Sequence, residues 1–139
     1  MNIKQYLRDL RLTPANSIVI GSGILSALAI RESNDIDLVV DPNMYNRLSQ
    51  DSRFEKKVKR EKEILVWDLF EIGTSWTVVG KKWSFDDLLD QSIIIDDVRY
   101  NSIEFLLAAK EDWVKNDDIV RQKDLDDIKL MKEYLGNSS

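Results

Sequence analysis

The sequence predicts a single α+β domain (α/β-like): a mixed β-sheet flanked by helices, with two C-terminal helices packed on the sheet. Two observations carry this. Short apolar runs bounded by turn residues alternate with segments of helical spacing along the whole chain. The 139 residues, 43% of them hydrophobic, suit one domain with a core of its own. No repeat, low-complexity tract or linker divides residues 1–139.

The elements follow in order. Ile3, Tyr6, Leu7 and Leu10 have helical spacing, which Thr13-Pro14 ends. Ser17-Ile18-Val19-Ile20 reads as a strand, Gly21-Ser22-Gly23 as a turn, and Ile24, Leu25 and Leu28 as a short helix. After the polar Glu32-Ser33-Asn34, residues 36–40 form a second strand. Asp41-Pro42 then opens a helix, with Asp as N-cap and Pro in the first turn. The highly charged residues 51–63 are expected as a solvated helix or loop. Residues 64–72 read as one apolar strand with Asp68 and Glu71 inside it, and Trp76–Val79 as another after a Gly73-Thr74-Ser75 turn. Ser84 with Asp87 forms a capping box for a helix carrying Phe85, Leu88 and Leu89. Residues 93–95 and 98–100 are short strands. A helix begins at Asn101 or Ser102, a break falls at Asn116-Asp117-Asp118, and a final helix with Leu125, Ile128 and Leu135 ends at Gly136.

Composition narrows the chemistry. The chain has no cysteine, so disulfides and thiolate metal sites are excluded. It has no histidine, which removes the commonest general base and transition-metal ligand. A catalytic metal would be held by oxygen, which favours Mg²⁺, Mn²⁺ or Ca²⁺. A net charge of -5 argues against non-specific nucleic-acid binding by the whole domain. The local cluster Lys56-Lys57-Val58-Lys59-Arg60 is expected as a solvated face. The N-terminus lacks an apolar signal core, and no apolar run approaches about 18 residues. A soluble cytoplasmic protein without membrane association is the expectation.

Asp35-Ile36-Asp37 carries the sharpest chemical signal. Carboxylates at i and i+2 on a strand share a face, roughly 7 Å apart. They repel unless a cation lies between them. Burying a carboxylate without a partner costs several kcal/mol. The glycine-serine turn upstream presents backbone N–H groups to an anion. Acids for a metal beside amides for phosphate suggest a metal–nucleotide site. The alternative places Asp35 in the loop and pairs Asp37 with a lysine or arginine. A third acid would complete a two-metal site. Periodicity does not choose between Asp68 and Glu71. Lys110, on a face with Leu106, Leu107 and Trp113, either snorkels or points into a site. Arg121 and Lys123 lie near the start of the last helix, where a charged face competes with a phosphate-binding role.

Ile20-Gly21-Ser22, a gap of twelve residues and Asp35-Ile36-Asp37-Leu38 together resemble the nucleotidyltransferase signature of the DNA polymerase β superfamily. Ser102–Lys110 followed by Arg121-Gln122-Lys123-Asp124-Leu125-Asp126-Asp127-Ile128 is similar to the tail of its small prokaryotic members, the minimal nucleotidyltransferases and AbiEii-like toxins. The resemblance spans roughly residues 17–135. It implies an Mg²⁺- or Mn²⁺-dependent transfer of an NMP from a nucleoside triphosphate to an acceptor (tRNA, protein or small molecule), with release of pyrophosphate. Gly21 and Ser22 would cradle the triphosphate; Asp35 and Asp37 would bind metal. Glu71 is the better match for the third acid and would help deprotonate the acceptor. Lys110, Arg121, Lys123 and Asp124 match the tail, whose basic residues contact the nucleotide. The stretch between Lys110 and Arg121 is longer than the small members lead one to expect. A weakly active or inactive nucleotide- or partner-binding module, such as half of a toxin–antitoxin pair, is the alternative expectation.

Overall fold

A computed structural model describes residues 2–116 and 119–137. The elements are α1 (Ile3–Asp9), β1 (Ser17–Ile20), α2 (Gly23–Ala27), β2 (Ile36–Val40), α3 (Pro42–Ser49), β3 (Glu55–Lys59), β4 (Lys62–Trp67), β5 (Phe70–Gly73), β6 (Ser75–Val78), β7 (Lys81–Ser84), α4 (Phe85–Leu88), a 3₁₀ turn (Leu89–Gln91), β8 (Ser92–Ile95), β9 (Val98–Asn101), α5 (Ile103–Asn116) and α6 (Gln122–Asn137). Seven strands form one mixed sheet in the order β3-β4-β5-β2-β1-β9-β8, and β6 and β7 form a separate hairpin. The expected α+β architecture with flanking helices is therefore observed. Among the described residues, no helix is long and apolar enough to cross a membrane.

Strand alternation splits the core in two. Val19, Ile36, Leu38, Val40, Leu65 and Ile72 face α1, α2 and α3 in the larger cluster. Ile18 and Val39 project the other way, onto Val78, Phe85, Leu88, Phe105 and Ala109. Asp37 has the parity of Val39, so it lies on this second face, where the smaller core leaves part of the sheet uncovered.

Local chemistry explains the elements. Asp41 accepts a hydrogen bond from the Met44 amide (2.7 Å) and Pro42 occupies the first turn of α3. The capping box at Ser84 and Asp87 is fully formed. At Gly23 an added Cβ would lie 2.3 Å from Val19 Cγ1, so only glycine lets α2 pack this closely on β1.

Three expectations are corrected. Residues 64–72 are a hairpin: Asp68, at φ 51°, and Leu69 form a two-residue turn between β4 and β5. An apolar turn residue hid the break, and Asp68 therefore lies in the turn. Residues 55–59 form the edge strand β3, all exposed; with solvent on both faces it has no need of apolar alternation. The hairpin that β7 makes with β6 was likewise not anticipated. The last helix runs through Gly136 to Asn137. Asp117 and Asp118 of the expected break lie outside the described residues, while α5 does end at Asn116.

Candidate active site

The site is built at the middle of the sheet. β2 pairs antiparallel with β1 and parallel with β5, so Asp37 is flanked by Ile20 on one side and Glu71 on the other. Neighbouring strands lie about 4.8 Å apart, so register alone sets the two carboxylates side by side on one face. Gly21, at φ 71°, follows β1 directly. A Cβ at this position would sit 3.9 Å from Asp37 Oδ2, so the turn passes immediately beside the carboxylate. The Ser22 side chain makes no capping hydrogen bond to α2. Asp35 is exposed and just precedes β2.

Ile20, Asp37 and Glu71 border a cavity of about 990 Å³. Asp37 and Glu71 lie on its floor. Lys59, Arg60 and Lys62 come from the β3–β4 hairpin, Trp76 and Thr77 from β6, Trp113 from α5, and Arg121 and Asp124 from the start of α6. A second cleft, of about 160 Å³ near Lys4 and Asp96, holds none of the predicted site residues.

Asp37 is electrostatically unusual. Burial, then the charges of Asp35 and Glu71, push its carboxyl up to about 6, against weaker opposing pulls from Lys59 and Lys123. Among the described residues its side chain has no ion-pair partner. Glu71 is paired with Lys59 Nζ, at 3.1 Å and 3.4 Å to its two oxygens. Lys59 was read as part of a solvated face; only its position on β3, unreadable without the sheet order, brings it to Glu71.

The tail residues behave differently. Lys110, only 3% exposed, donates to Asp124 at 2.6 Å and lies 3.1 Å from Asp127. Arg121 also holds Asp124, at 3.1 Å and 3.2 Å. Arg31 takes both oxygens of Asp127, at 2.6 Å and 2.7 Å. Burial pushes the Asp124 and Asp127 carboxyls up, but the combined hydrogen bonds and charges of Lys110, Arg121 and Arg31 hold both below their usual range. This network ties α6 to α5 and to the loop after α2. Sequence reasoning missed Arg31, which belongs to no motif. Lys123 is exposed, makes no ion pair among the described residues, and is felt by Asp37.

Three features bear on a metal ion. The donors Asp35, Asp37 and Glu71 are all oxygen, as a hard divalent cation requires. The uncompensated negative charge around Asp37 is a second feature in favour. Against these, no group of three or more acids is gathered closely enough to hold a metal among the described residues, and Glu71 is turned to Lys59. The donor chemistry and charge fit Mg²⁺ or Mn²⁺, while Glu71 is engaged by Lys59.

No protein-family model matches the chain, and no curated protein matches its sequence. Two solved structures are similar to it. The solution structure of the antibiotic-resistance factor ANT(2'')-Ia aligns with 99% of this chain and 88% of its own, at 16% identity and a TM-score of 0.57. An antigenic nucleotidyltransferase-like protein from Paracoccidioides brasiliensis aligns over 93% and 71%, at 17% identity and a TM-score of 0.47. The first likeness establishes a nucleotidyltransferase-type fold, and at this identity the fold alone.

Proposed function

We propose that the protein is a divalent-metal-dependent nucleotidyltransferase, moving an NMP from a nucleoside triphosphate to an acceptor. The observation that carries this is the pairing of Asp37 with Glu71, beside the Gly21 turn and inside the large cavity. Asp35, Asp37 and Glu71 would hold Mg²⁺ or Mn²⁺, which when bound supplies charge stabilisation for the phosphoryl group and its leaving pyrophosphate. The residues of the chain do the rest. The Gly21 turn and the free Ser22 hydroxyl receive the triphosphate. Lys123 and Arg121 contribute positive charge from the start of α6. Lys110 supports them from beneath, holding Asp124 in place. The Glu71 carboxylate takes the proton of the acceptor group as its oxygen bonds to the α-phosphorus. The bond from that phosphorus to the bridging oxygen breaks, and pyrophosphate leaves with the electron pair.

The test is label transfer from α-labelled nucleoside triphosphates, with Mg²⁺ or Mn²⁺, to tRNA, proteins and small hydroxyl compounds. The expected result is transfer that Asp37→Ala abolishes. Absence of transfer to every acceptor, with nucleotide binding unchanged in Asp37→Ala, overturns the proposal. A second reading, a nucleotide- or partner-binding module such as half of a toxin–antitoxin pair, is favoured by one observation: Glu71 is occupied by Lys59. Tight Mg²⁺-ATP binding without turnover, measured by calorimetry, distinguishes it.

A further inference from the structure

The order of strands across the site assigns a direction to it. β1, with the Gly21 turn, lies on one side of β2; β5, β4 and β3 lie on the other. If the triphosphate sits at the Gly21 turn, the group it reacts with approaches from the Glu71 side. What lies beyond Glu71 is the β3–β4 hairpin. The basic patch along it therefore faces the acceptor.

That patch is out of character for the chain. The whole protein carries a net charge of -5, yet residues 55–63 hold five lysines and arginines against three glutamates. Register sorts them further. Lys57 pairs with Ile64 and Lys59 with Lys62, and Ile64, Lys59 and Lys62 all line the cavity, so these three lysines project from the face that carries Glu71. Glu63 turns away to the hydroxyl of Tyr45, at 2.7 Å. Glu55 and Glu61 are the acids left on the exposed hairpin. The two hairpins converge: Lys62 donates to Thr77 of β6 at 2.8 Å, and burial, then the positive charges of Lys82 and Arg60, push the Lys62 amine down. Lys82 and Arg60 both act on Lys62 as like charges, and an anion placed among them relieves the repulsion.

We propose that Lys57, Lys59, Arg60 and Lys62, with Lys82 of the facing hairpin, form a binding site for the phosphate groups of the acceptor. The acceptor is thus a phosphate-bearing molecule and not a cationic or neutral one. Lys59 has two partners in turn: Glu71 before the acceptor arrives, and phosphate afterwards. The inference rests on the nucleotidyltransferase reading for the word acceptor, while the anion site itself stands on the hairpin geometry alone.

The test uses the double variant Lys57→Thr/Arg60→Asn. Threonine suits an edge strand, and asparagine tolerates the positive φ of 51° at Arg60. Two probes separate the sources of phosphate: a short labelled single-stranded oligoribonucleotide, followed by fluorescence anisotropy against salt, and ribose 5-phosphate, followed by calorimetry. A nucleic-acid acceptor predicts oligoribonucleotide binding that weakens at least about tenfold in the variant, with a salt slope reduced by about 1.4. A small phosphorylated acceptor predicts binding of ribose 5-phosphate alone, lost in the same variant. The charge-matched control Lys129→Glu, exposed on α6, should bind as the wild type does. The proposal is overturned if neither probe binds, if Lys57→Thr/Arg60→Asn binds like the wild type, or if that variant loses Mg²⁺-ATP instead, which would give the patch to the nucleotide. Hairpin-dependent binding by a protein that shows no affinity for ATP would sink the nucleotidyltransferase reading and leave the anion site standing.

Discussion

Two clusters of charge lie a short way apart, and they differ in whether their charges are answered. In the α5–α6 network, the carboxylates Asp124 and Asp127 are met by Lys110, Arg121 and Arg31, and all four of their oxygens are bonded. At the sheet centre, Asp37 is half-buried between Asp35 and Glu71; Lys59 pairs with Glu71, and Lys123 acts on Asp37 only weakly and without an ion pair. The first arrangement spends its charge on holding two helices. The second leaves the negative charge of Asp37 without an ion-pair partner among the described residues. A motif rich in charge thus reads as structure where partners close the circuit, and the proposed site is the place where they do not.

The largest expected effect is on the answered cluster. Lys110→Met leaves two buried carboxylates short of a cation and should cost about 3–5 kcal/mol in urea unfolding. Nearly unchanged stability with loss of ATP binding would move Lys110 into the site and erase the contrast.

Next comes the unanswered cluster, with the opposite sign. The Asp37 carboxyl titrates near 6 in the folded protein, above its unfolded value of 3.8. Its contribution to stability is fully present below pH 3.8 and is lost as pH rises through about 6. Asp37→Asn should therefore stabilise the protein above pH 7, by on the order of 3 kcal/mol at 1.4 kcal/mol per pKa unit, and the gain should vanish near pH 4. Asp124 and Asp127, held low, behave in reverse: their contribution is present above about pH 4 and is lost as pH falls through their depressed values. Urea midpoints of wild type and Asp37→Asn across pH measure the first effect. Equal pH profiles for the two would show Asp37 to be answered after all.

A smaller loss tests whether packing, and not charge, holds the Gly21 turn against the sheet. Gly23→Ala forces a methyl against the buried Val19 and should cost about 1–3 kcal/mol, partly recovered by Val19→Ala in the same chain. The smallest change is expected from Lys59→Ala. The pair it breaks is exposed, so stability should move by less than about 1 kcal/mol. The Asp37 carboxyl should nevertheless titrate higher, followed by NMR, because one of the two cations that lower it is gone.

Much of this was legible in the sequence. Ile18-Val19-Ile20 and residues 36–40 read as strands because both faces of the central sheet are buried, leaving apolar runs. Asp41-Pro42 and Ser84-Asp87 announced their helices through capping chemistry that needs no tertiary context. Asp37 and the Gly21 turn stood out because an acid inside an apolar strand demands a reason, whereas Asp35 lies just before the strand. The β3 strand was illegible, since an exposed edge carries no burial pattern. The Asp68 turn was hidden by Leu69. Spacing alone leaves the setting of Lys110 open between snorkelling and a site, because its partners Asp124 and Asp127 lie across a helix–helix contact that no local pattern encodes. Which acid stands beside Asp37 was decided by the β2–β5 register, a long-range fact.

The sheet order also bears on how the molecule comes to exist. β1 pairs with β2 close by in the chain, but its other edge waits for β9, with Val19 opposite Tyr100. Closing so long a loop is entropically expensive, and pairings of this kind form late. Asp37, Glu71 and the Gly21 turn leave the ribosome before Trp113, Arg121 and Lys123. The nascent chain is thus expected to present its acids before it has the walls that enclose them. Substitutions at Tyr100 should then speed unfolding and leave the folding rate nearly untouched, whereas Leu38→Ala should slow folding.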